Sequence, residues 1–241
     1  MTQIALTSRI ASYEASFASS IRALNLETVP RFITALSGGP DSTALACLAD
    51  LYARSRGKDH MAVIVNHNIR RDATKEAVRV SQRMKNRAIA CQILTIADKA
   101  PETGVQTWAR DQRFDALTKL ARQRGAVVLV AHHQADQAET VLMRLSHGSG
   151  VVGLAGMRGL TMRDAVLVAR PLLDWQSSDL VDLLGLLSCD FEDDPSNKNI
   201  QFERVQMRGF LRDATASGLP MTNSALRLGG AMQALSDHLD T

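Results

Sequence analysis

Six consecutive residues, Ser37-Gly38-Gly39-Pro40-Asp41-Ser42, have the types that a phosphate site needs. Gly38 and Gly39 let backbone N–H groups converge on one point without side chains in the way. Pro40 suits an early helical position, where its missing N–H costs little. Ser37 and Ser42 bring hydroxyl donors. Asp41 is the odd member, because a carboxylate repels phosphate unless a cation stands between them. It therefore implies Mg²⁺ bridging to phosphate oxygens. A plainer use of Asp41 and Ser42 is to cap the helix that follows. The loop has neither the lysine of G-x-x-x-x-G-K-[ST] nor the spacing of G-x-G-x-x-G.

A second group is His133, Asp136, Glu139 and Thr140. Asp136 and Glu139 are three apart, Thr140 is four from Asp136, and on a helix all three share a face. With His133 at or just before the helix start, they can bind an amine, a metal or both. The plainer alternative is a solvated helix face with an acidic first turn. A third group, Arg110 and Arg113, shares a face with Thr107 and can clamp phosphates bidentately. Trp108 and Phe114 beside them read as core anchors. Arg204, Arg208 and Arg212 form an i, i+4, i+8 stripe suited to RNA phosphates, to an ATP phosphate, or to plain solvent.

The elements that must position these groups alternate. Strand patterns fall at 31–36, 61–66, 91–96, 126–131 and 165–169, and helical patterns at 8–24, 42–56, 72–88, 104–124 and 134–147. Continuous apolar strands alternating with helices predict a doubly wound, mostly parallel five-stranded α/β sheet with helices on both faces. Ligands of such sheets bind beyond the carboxyl ends of the strands. Ser37 onward, Asn66-His67 and His132-His133 all follow strand ends. From about 175 the pattern becomes a helical extension, and 220–239 reads as one amphipathic helix.

Composition sets outer bounds. A chain of 241 residues can bury a substantial core, and a net charge of +3 is a mild basic bias compatible with nucleic acid. Cys47, Cys91 and Cys189 form no CxxC, no zinc spacing and no even disulfide set, which points to a reducing cytoplasm. No run approaches the roughly 20 apolar residues of a membrane span, and the N-terminus has no signal core, so no membrane partner is expected.

The pattern S-G-G-x-D-S between strand and helix resembles the PP-loop of ATP pyrophosphatases, which cut ATP between its α and β phosphates. Further motifs are Asn66-His-Asn-Ile-Arg70, Trp108-Ala-Arg-Asp-Gln-Arg113, His132–Thr140 with Arg144 and Gly148-Ser-Gly150, Gly153-Leu-Ala-Gly-Met157, Arg170-Pro-Leu-Leu173 and Asp194-Pro-Ser-Asn197. In this order, from about residue 31 to 212, the chain is similar to the tRNA(Ile)-lysidine synthetases, in their N-terminal catalytic domain. The resemblance implies an adenine nucleotide α-hydrolase-like fold, ATP and Mg²⁺ as cofactors, and two further substrates, free L-lysine and an isoleucine tRNA with a CAU anticodon. ATP would adenylate the C2 oxygen of the wobble cytidine, and the ε-amine of lysine would displace AMP. Ser37, Gly38, Gly39, Pro40, Asp41 and Ser42 would hold ATP, with Mg²⁺ on Asp41. Arg110, His133, Asp136 and Glu139 would join Asp41 in catalysis, Glu139 also as a metal ligand. Arg113, Arg204 and Arg208 would face phosphates of tRNA. A homodimer is counted among the states implied. The expected division is a catalytic domain over 1–216 and a connecting helix over 217–241, with the tRNA-gripping C-terminal domains of many relatives absent.

The chain also departs from that family. The motif after the second strand, usually Asp-His-Gly or His-His-Gly, is Asn66-His67-Asn68 here, so Asn68 must accept any positive φ that glycine would take. Arg-Asn-x-x-Arg becomes Arg204-Val-Gln-Met-Arg208. Three alternatives stand beside the main reading. A tRNA thiolase of the same superfamily would show paired cysteines. An amide-forming synthetase would carry a glutaminase part. The third is a non-catalytic nucleotide- or RNA-binding fragment.

Overall fold

A computed structural model describes residues 3–68, 72–192 and 203–239. Arg70 and Asp194-Pro-Ser-Asn197 lie outside the described residues. The elements run α1 (Gln3–Ala23), β1 (Arg31–Ala35), α2 (Pro40–Ser55), β2 (Asp59–Asn66), α3 (Ala73–Asn86), β3 (Cys91–Thr95), α4 (Val105–Arg124), β4 (Val127–Leu129), α5 (Gln134–Ser146), α6 (Val151–Leu154), β5 (Leu160–Arg163), β6 (Val166–Ala169), α7 (Ser177–Leu186), α8 (Glu203–Ala216) and α9 (Met221–Leu239).

The chain divides into two compact units. The first takes in Met1–Ala131, Leu160–Pro171 and Ser178–Asp193; the second takes in His132–Gly159, Leu172–Ser177 and Asp194–Thr241. The first unit holds the sheet, in the order β3-β2-β1-β4-β6-β5. Four neighbouring pairs are parallel, with Ile33 opposite Met61 on one side and Val128 on the other. The order grows outward from β1 in one direction, then reverses to β4, and the crevice at such a reversal is where α/β sheets take their ligands. The loop after β1 opens there.

Side-chain alternation along β1 explains why both faces are covered. Phe32 points to α2, where its ring meets Tyr52 edge-on at 6.1 Å, and Phe17 of α1 meets the same tyrosine at 5.8 Å. Ile33 points the other way, into a cluster with Val63, Val128, Val168 and the α4 residues Phe114, Leu117 and Ala121. Phe114 is thus the core anchor expected of it. Gly104 and Gly125 bound α4 in left-handed conformations, φ 68° and 59°.

The sheet has six strands rather than five. The additional strand, β5, pairs antiparallel with β6, Met162 opposite Leu167. The hairpin between them turns on Asp164 and Ala165, both at positive φ, 50° and 60°. That conformation normally selects Asn-Gly or Asp-Gly, so Asp-Ala gives a weak signal. Asp164 is held from α4 instead: Thr118 Oγ1 donates to its carboxylate at 3.2 Å and Arg122 to its carbonyl at 2.7 Å.

In the second unit α5 packs against α6, α8 and α9. Its core is Ala138, Val141 and Leu142 of α5 with Leu211 of α8 and Ala225 of α9. Gly229 of α9 lies so close to α5 that a Cβ there would stand 2.9 Å from Val141 Cγ2. No helix among the described residues is long and apolar enough to cross a membrane.

Candidate functional site

The loop Ser37–Ser42 leaves β1 and enters α2 as its residue types require. Gly38 is at φ 92°, and a Cβ there would stand 2.7 Å from Val80 Cγ2 of α3. Both the conformation and the space exclude a side chain. Gly39 is the N-cap and makes no side-chain cap bond, and Pro40 follows in the first turn with Asp41. Ser42 is buried and works inside the loop. Its Oγ accepts from the Ser37 backbone N–H at 3.1 Å, lies 3.0 Å from Ser37 Oγ, and donates to the Gly39 carbonyl at 3.1 Å. One proton and two lone pairs are then all engaged. Ser42 therefore shapes the loop, while the exposed Ser37 hydroxyl donates to Ser42 and reaches a ligand only by turning from it. The Gly38 carbonyl accepts from Thr43 Oγ1 at 3.2 Å and from the Glu192 backbone N–H at 2.8 Å. With the Ser37 N–H spent on Ser42, the glycine N–H groups are the ones the loop offers an anion, at the positive end of α2.

The first unit also gathers positive charge. Arg110 and Arg113 lie on α4, and Arg170 follows β6 directly. Burial, then the charge of Arg110, pushes the Arg113 guanidinium below its ordinary value, and the same two causes lower Arg170. Burial, then Arg113, pushes the His67 imidazole down as well. Each of these groups is opposed by a neighbouring cation. Arg163 is a structural arginine, 2.9 Å from Asp115 and 3.2 Å from Asp111, and Arg170 donates to Thr161 Oγ1 at 3.1 Å. Cations collected against their own repulsion suit an anion. His67 and Arg170 belong to this cluster, though residue types alone did not single them out. The available signal was position, since each directly follows the carboxyl end of a strand. The His67 ring lies 6.2 Å from Trp108, and its Nδ1 is buried with no hydrogen-bond partner among the described residues. Asn68 does adopt positive φ, 52°, and Asn66 braces it by accepting its N–H at 2.9 Å.

In the second unit the helix α5 begins with a reciprocal cap. His133 Nδ1 accepts from the Ala135 N–H at 3.2 Å, and Asp136 Oδ2 accepts from the His133 N–H at 3.1 Å. An Nδ1 that accepts puts the proton of the neutral ring on Nε2. His133 can then take up a proton only by giving up its cap, so the geometry gives it a positioning role. Glu139 is 1% exposed in its side chain and is gripped from α8. Arg204 Nε donates to its Oε2 at 3.0 Å and Arg208 Nε to its Oε1 at 2.7 Å. Arg204 also reaches Thr140 Oγ1 at 3.2 Å. A carboxylate occupied at both oxygens by guanidinium groups offers little to a divalent cation, which displaces the expected metal role of Glu139. The same bonds turn Arg204 and Arg208 inward, toward α5, and away from the simple picture of an RNA-facing stripe. Asp136 keeps Oδ1 at 3.9 Å from both Arg204 and Arg208. It is the carboxylate of the group least committed to a partner. Among the described residues Arg212 pairs with its exposed neighbour Asp213, and it is solvated. Arg144 and Gln137 serve the framework. Arg144 Nη1 donates to the Gly153 and Gly156 carbonyls, both at 2.7 Å, and Gln137 exchanges two bonds with the Met157 backbone.

Comparison with known proteins agrees with this arrangement. The chain matches the PP-loop domain family over residues 12–215. It is 40% identical over 196 residues to a tRNA(Ile)-lysidine synthase of Bradyrhizobium diazoefficiens, a span of 80% of this chain and 54% of that one. It is 36% identical over 236 residues to the tRNA(Ile)-lysidine synthase of Rhodopseudomonas palustris, covering 93% of this chain and 68% of that one. The chain thus spans about half to two thirds of the length of these relatives. In fold it resembles the U34-tRNA thiolase NcsA of Methanococcus maripaludis, with a TM-score of 0.79 at 17% identity over 97% of this chain and 80% of that one.

Proposed function

Because the chain belongs to the PP-loop family, among the tRNA(Ile)-lysidine synthases, we propose that it uses ATP to join free L-lysine to C2 of the wobble cytidine in an isoleucine tRNA with a CAU anticodon. The observation that carries this reading is the loop after β1, in which Gly38 at φ 92° and Gly39 open the backbone ahead of Asp41 in the first turn of α2. A carboxamide-like oxygen is a poor leaving group, so C2 must first be activated. The C2 oxygen attacks the α-phosphorus of ATP, and the bond to pyrophosphate breaks. The lysine nitrogen then attacks C2, and the carbon–oxygen bond to AMP breaks. Developing phosphate charge falls to the loop N–H groups, Ser37 and the arginines of the first unit, with Arg110 and Arg113 foremost. An Mg²⁺ ion typically needs one or two carboxylates beside substrate phosphates, and Asp41 supplies one. When bound, that ion neutralises charge on the phosphates.

An ammonium is not nucleophilic, and a base must hold it and accept its proton. We assign that role to Asp136, whose Oδ1 is not taken by the helix cap. His133 holds Asp136 in place through the reciprocal cap, while Glu139 fixes α8 through Arg204 and Arg208. The reading places the reaction in the cytoplasm, where ATP, free lysine and tRNA meet. AMP and pyrophosphate release, followed with and without lysine and the CAU tRNA, tests it. The expected result is AMP release that requires both. Nucleotide binding without AMP release under any combination would make the chain a binding fragment instead.

A further inference from the structure

Arg79, Arg83 and Arg87 follow one another at intervals of four along α3 and into its C-cap, and all three grip the short segment that follows α7. Arg87 Nη2 donates to the Leu187 and Ser188 carbonyls at 2.6 and 2.7 Å. Arg83 Nη2 donates to Glu192 Oε1 at 3.0 Å, and Arg79 Nη2 stands 3.5 Å from Glu192 Oε2. At its backbone, Glu192 donates its N–H to the Gly38 carbonyl at 2.8 Å. Glu192 thus ties α3 to the loop after β1. All of these residues belong to the first unit. The tie fixes a direction. The Gly38–Gly39 peptide is trans and planar, so the Gly38 carbonyl and the Gly39 N–H point opposite ways. The carbonyl is held by the Glu192 N–H and by Thr43 Oγ1 at 3.2 Å, which turns the Gly39 N–H away from both. Glycines on either side of that peptide let it swing at little steric cost, so the hold on the carbonyl is what sets its orientation.

We propose that Arg83 is a positioning residue for the nucleotide: through Glu192 it fixes the Gly38 carbonyl and so aims the Gly39 N–H at a phosphate of ATP. The bearing on ATP rests on the function proposed above. Arg79 is the second and longer hold on the same carboxylate. The side chains suit the task. Burial raises the Glu192 carboxyl, but hydrogen bonds from Arg83 and then Arg79 outweigh it and hold the group below its ordinary value, so at neutral pH the arginines grip a carboxylate. The grip has a cost, because Arg83 Nη1 is buried with no hydrogen-bond partner among the described residues. Removing the guanidinium therefore removes an unpaired buried donor together with the tie, and the fold should tolerate it. The loop also has no slack on this side. A Cβ on Gly38 would stand 2.7 Å from Val80 Cγ2, one turn of α3 before Met84, and 3.5 Å from Glu192 Cγ. A small shift of Glu192 is thus felt at Gly38 directly.

Equilibrium titration of the full chain with ATP and Mg²⁺, alongside KM for ATP and for lysine in lysine transfer, tests this role. Arg83→Met keeps the aliphatic stem and should melt close to the parent. It should bind ATP about 3–10-fold more weakly, the worth of one hydrogen bond, with KM for lysine unchanged. Arg83→Lys should recover much of that affinity, since an ammonium restores the charge beside Glu192. Glu192→Gln keeps the backbone N–H and loses the charge, so it should weaken ATP binding in the same direction. The double variant Arg83→Met with Glu192→Gln should bind ATP no more weakly than the worse single one, because both act through one contact. A lower kcat in Arg83→Met with ATP affinity unchanged would make the arginine a framework residue and overturn the proposal. Losses that multiply in the double variant would overturn it too. Should Arg83→Met fail to fold, parent-like ATP affinity in Glu192→Gln overturns it on its own. A parent chain that binds ATP with the expected pattern across the variants but transfers no lysine overturns the proposed reaction and leaves the positioning role standing.

Discussion

Ser42 and Asp41 are neighbours with different work. Ser42 spends its hydroxyl on Ser37 and Gly39, so Ser42→Ala should loosen the loop and weaken ATP binding while leaving turnover measurable. Asp41→Asn keeps the shape and removes the charge. It should fold normally and lose pyrophosphate release, a loss on the order of several kcal/mol of transition-state stabilisation. Wild-type turnover in that variant would remove Asp41 from the chemistry. His67 makes a different prediction. Its folded pKa lies below the ordinary 6.5, from burial and then Arg113. Above pH 6.5 it is neutral in both states and has no effect. As pH falls through 6.5 the unfolded chain takes up the proton first, so the folded state loses stability. His67→Asn should therefore lose less melting temperature than the parent between pH 7 and pH 5; equal losses would count against the buried, cation-facing imidazole. The glycines, the proline and Asp41 were legible because each has a backbone or charge requirement visible in its type. The use of Ser42 within the loop and of His133 as a cap was not, because a hydroxyl or an imidazole carries no sign in sequence of which partner will take its proton.

At the scale of elements, α5 and α8 are joined by a buried carboxylate between two arginines. Glu139 is 1% exposed, whereas Arg204 and Arg208 are 35% and 50% exposed in their side chains. Removing Arg208 alone leaves Glu139 one partner and should cost about 1–3 kcal/mol of stability in urea unfolding. Replacing both arginines by methionine strands the carboxylate and should cost about 3–5 kcal/mol, with Glu139→Gln added to the pair restoring much of it. A double variant within about 0.5 kcal/mol of the parent would return the stripe to the solvent-facing class. The i, i+4 spacing of Arg204 and Arg208 showed that they share a face. It could not show that the face is turned to an acidic helix more than sixty residues earlier. The strands and helices of the sheet were legible from apolar runs alternating with helical patterns. Strand β5 was not, since four residues and an Asp-Ala turn carry little pattern.

At the scale of the molecule, alternation of strand and helix was enough to give a parallel sheet, a reversal of strand order and a ligand crevice at the end of β1. The division of the chain into two compact units left no mark in composition. Transfer of labelled lysine to the tRNA reads the proposed reaction itself. The chain is incubated with ATP, Mg²⁺, labelled L-lysine and CAU isoleucine tRNA, and the tRNA is recovered and digested to nucleosides. Label should appear in the wobble nucleoside alone, require ATP, be absent with a methionine tRNA, and disappear in Asp41→Asn and Asp136→Asn. ATP consumed with no label in the tRNA, or label carried equally by both tRNAs, would contradict the account.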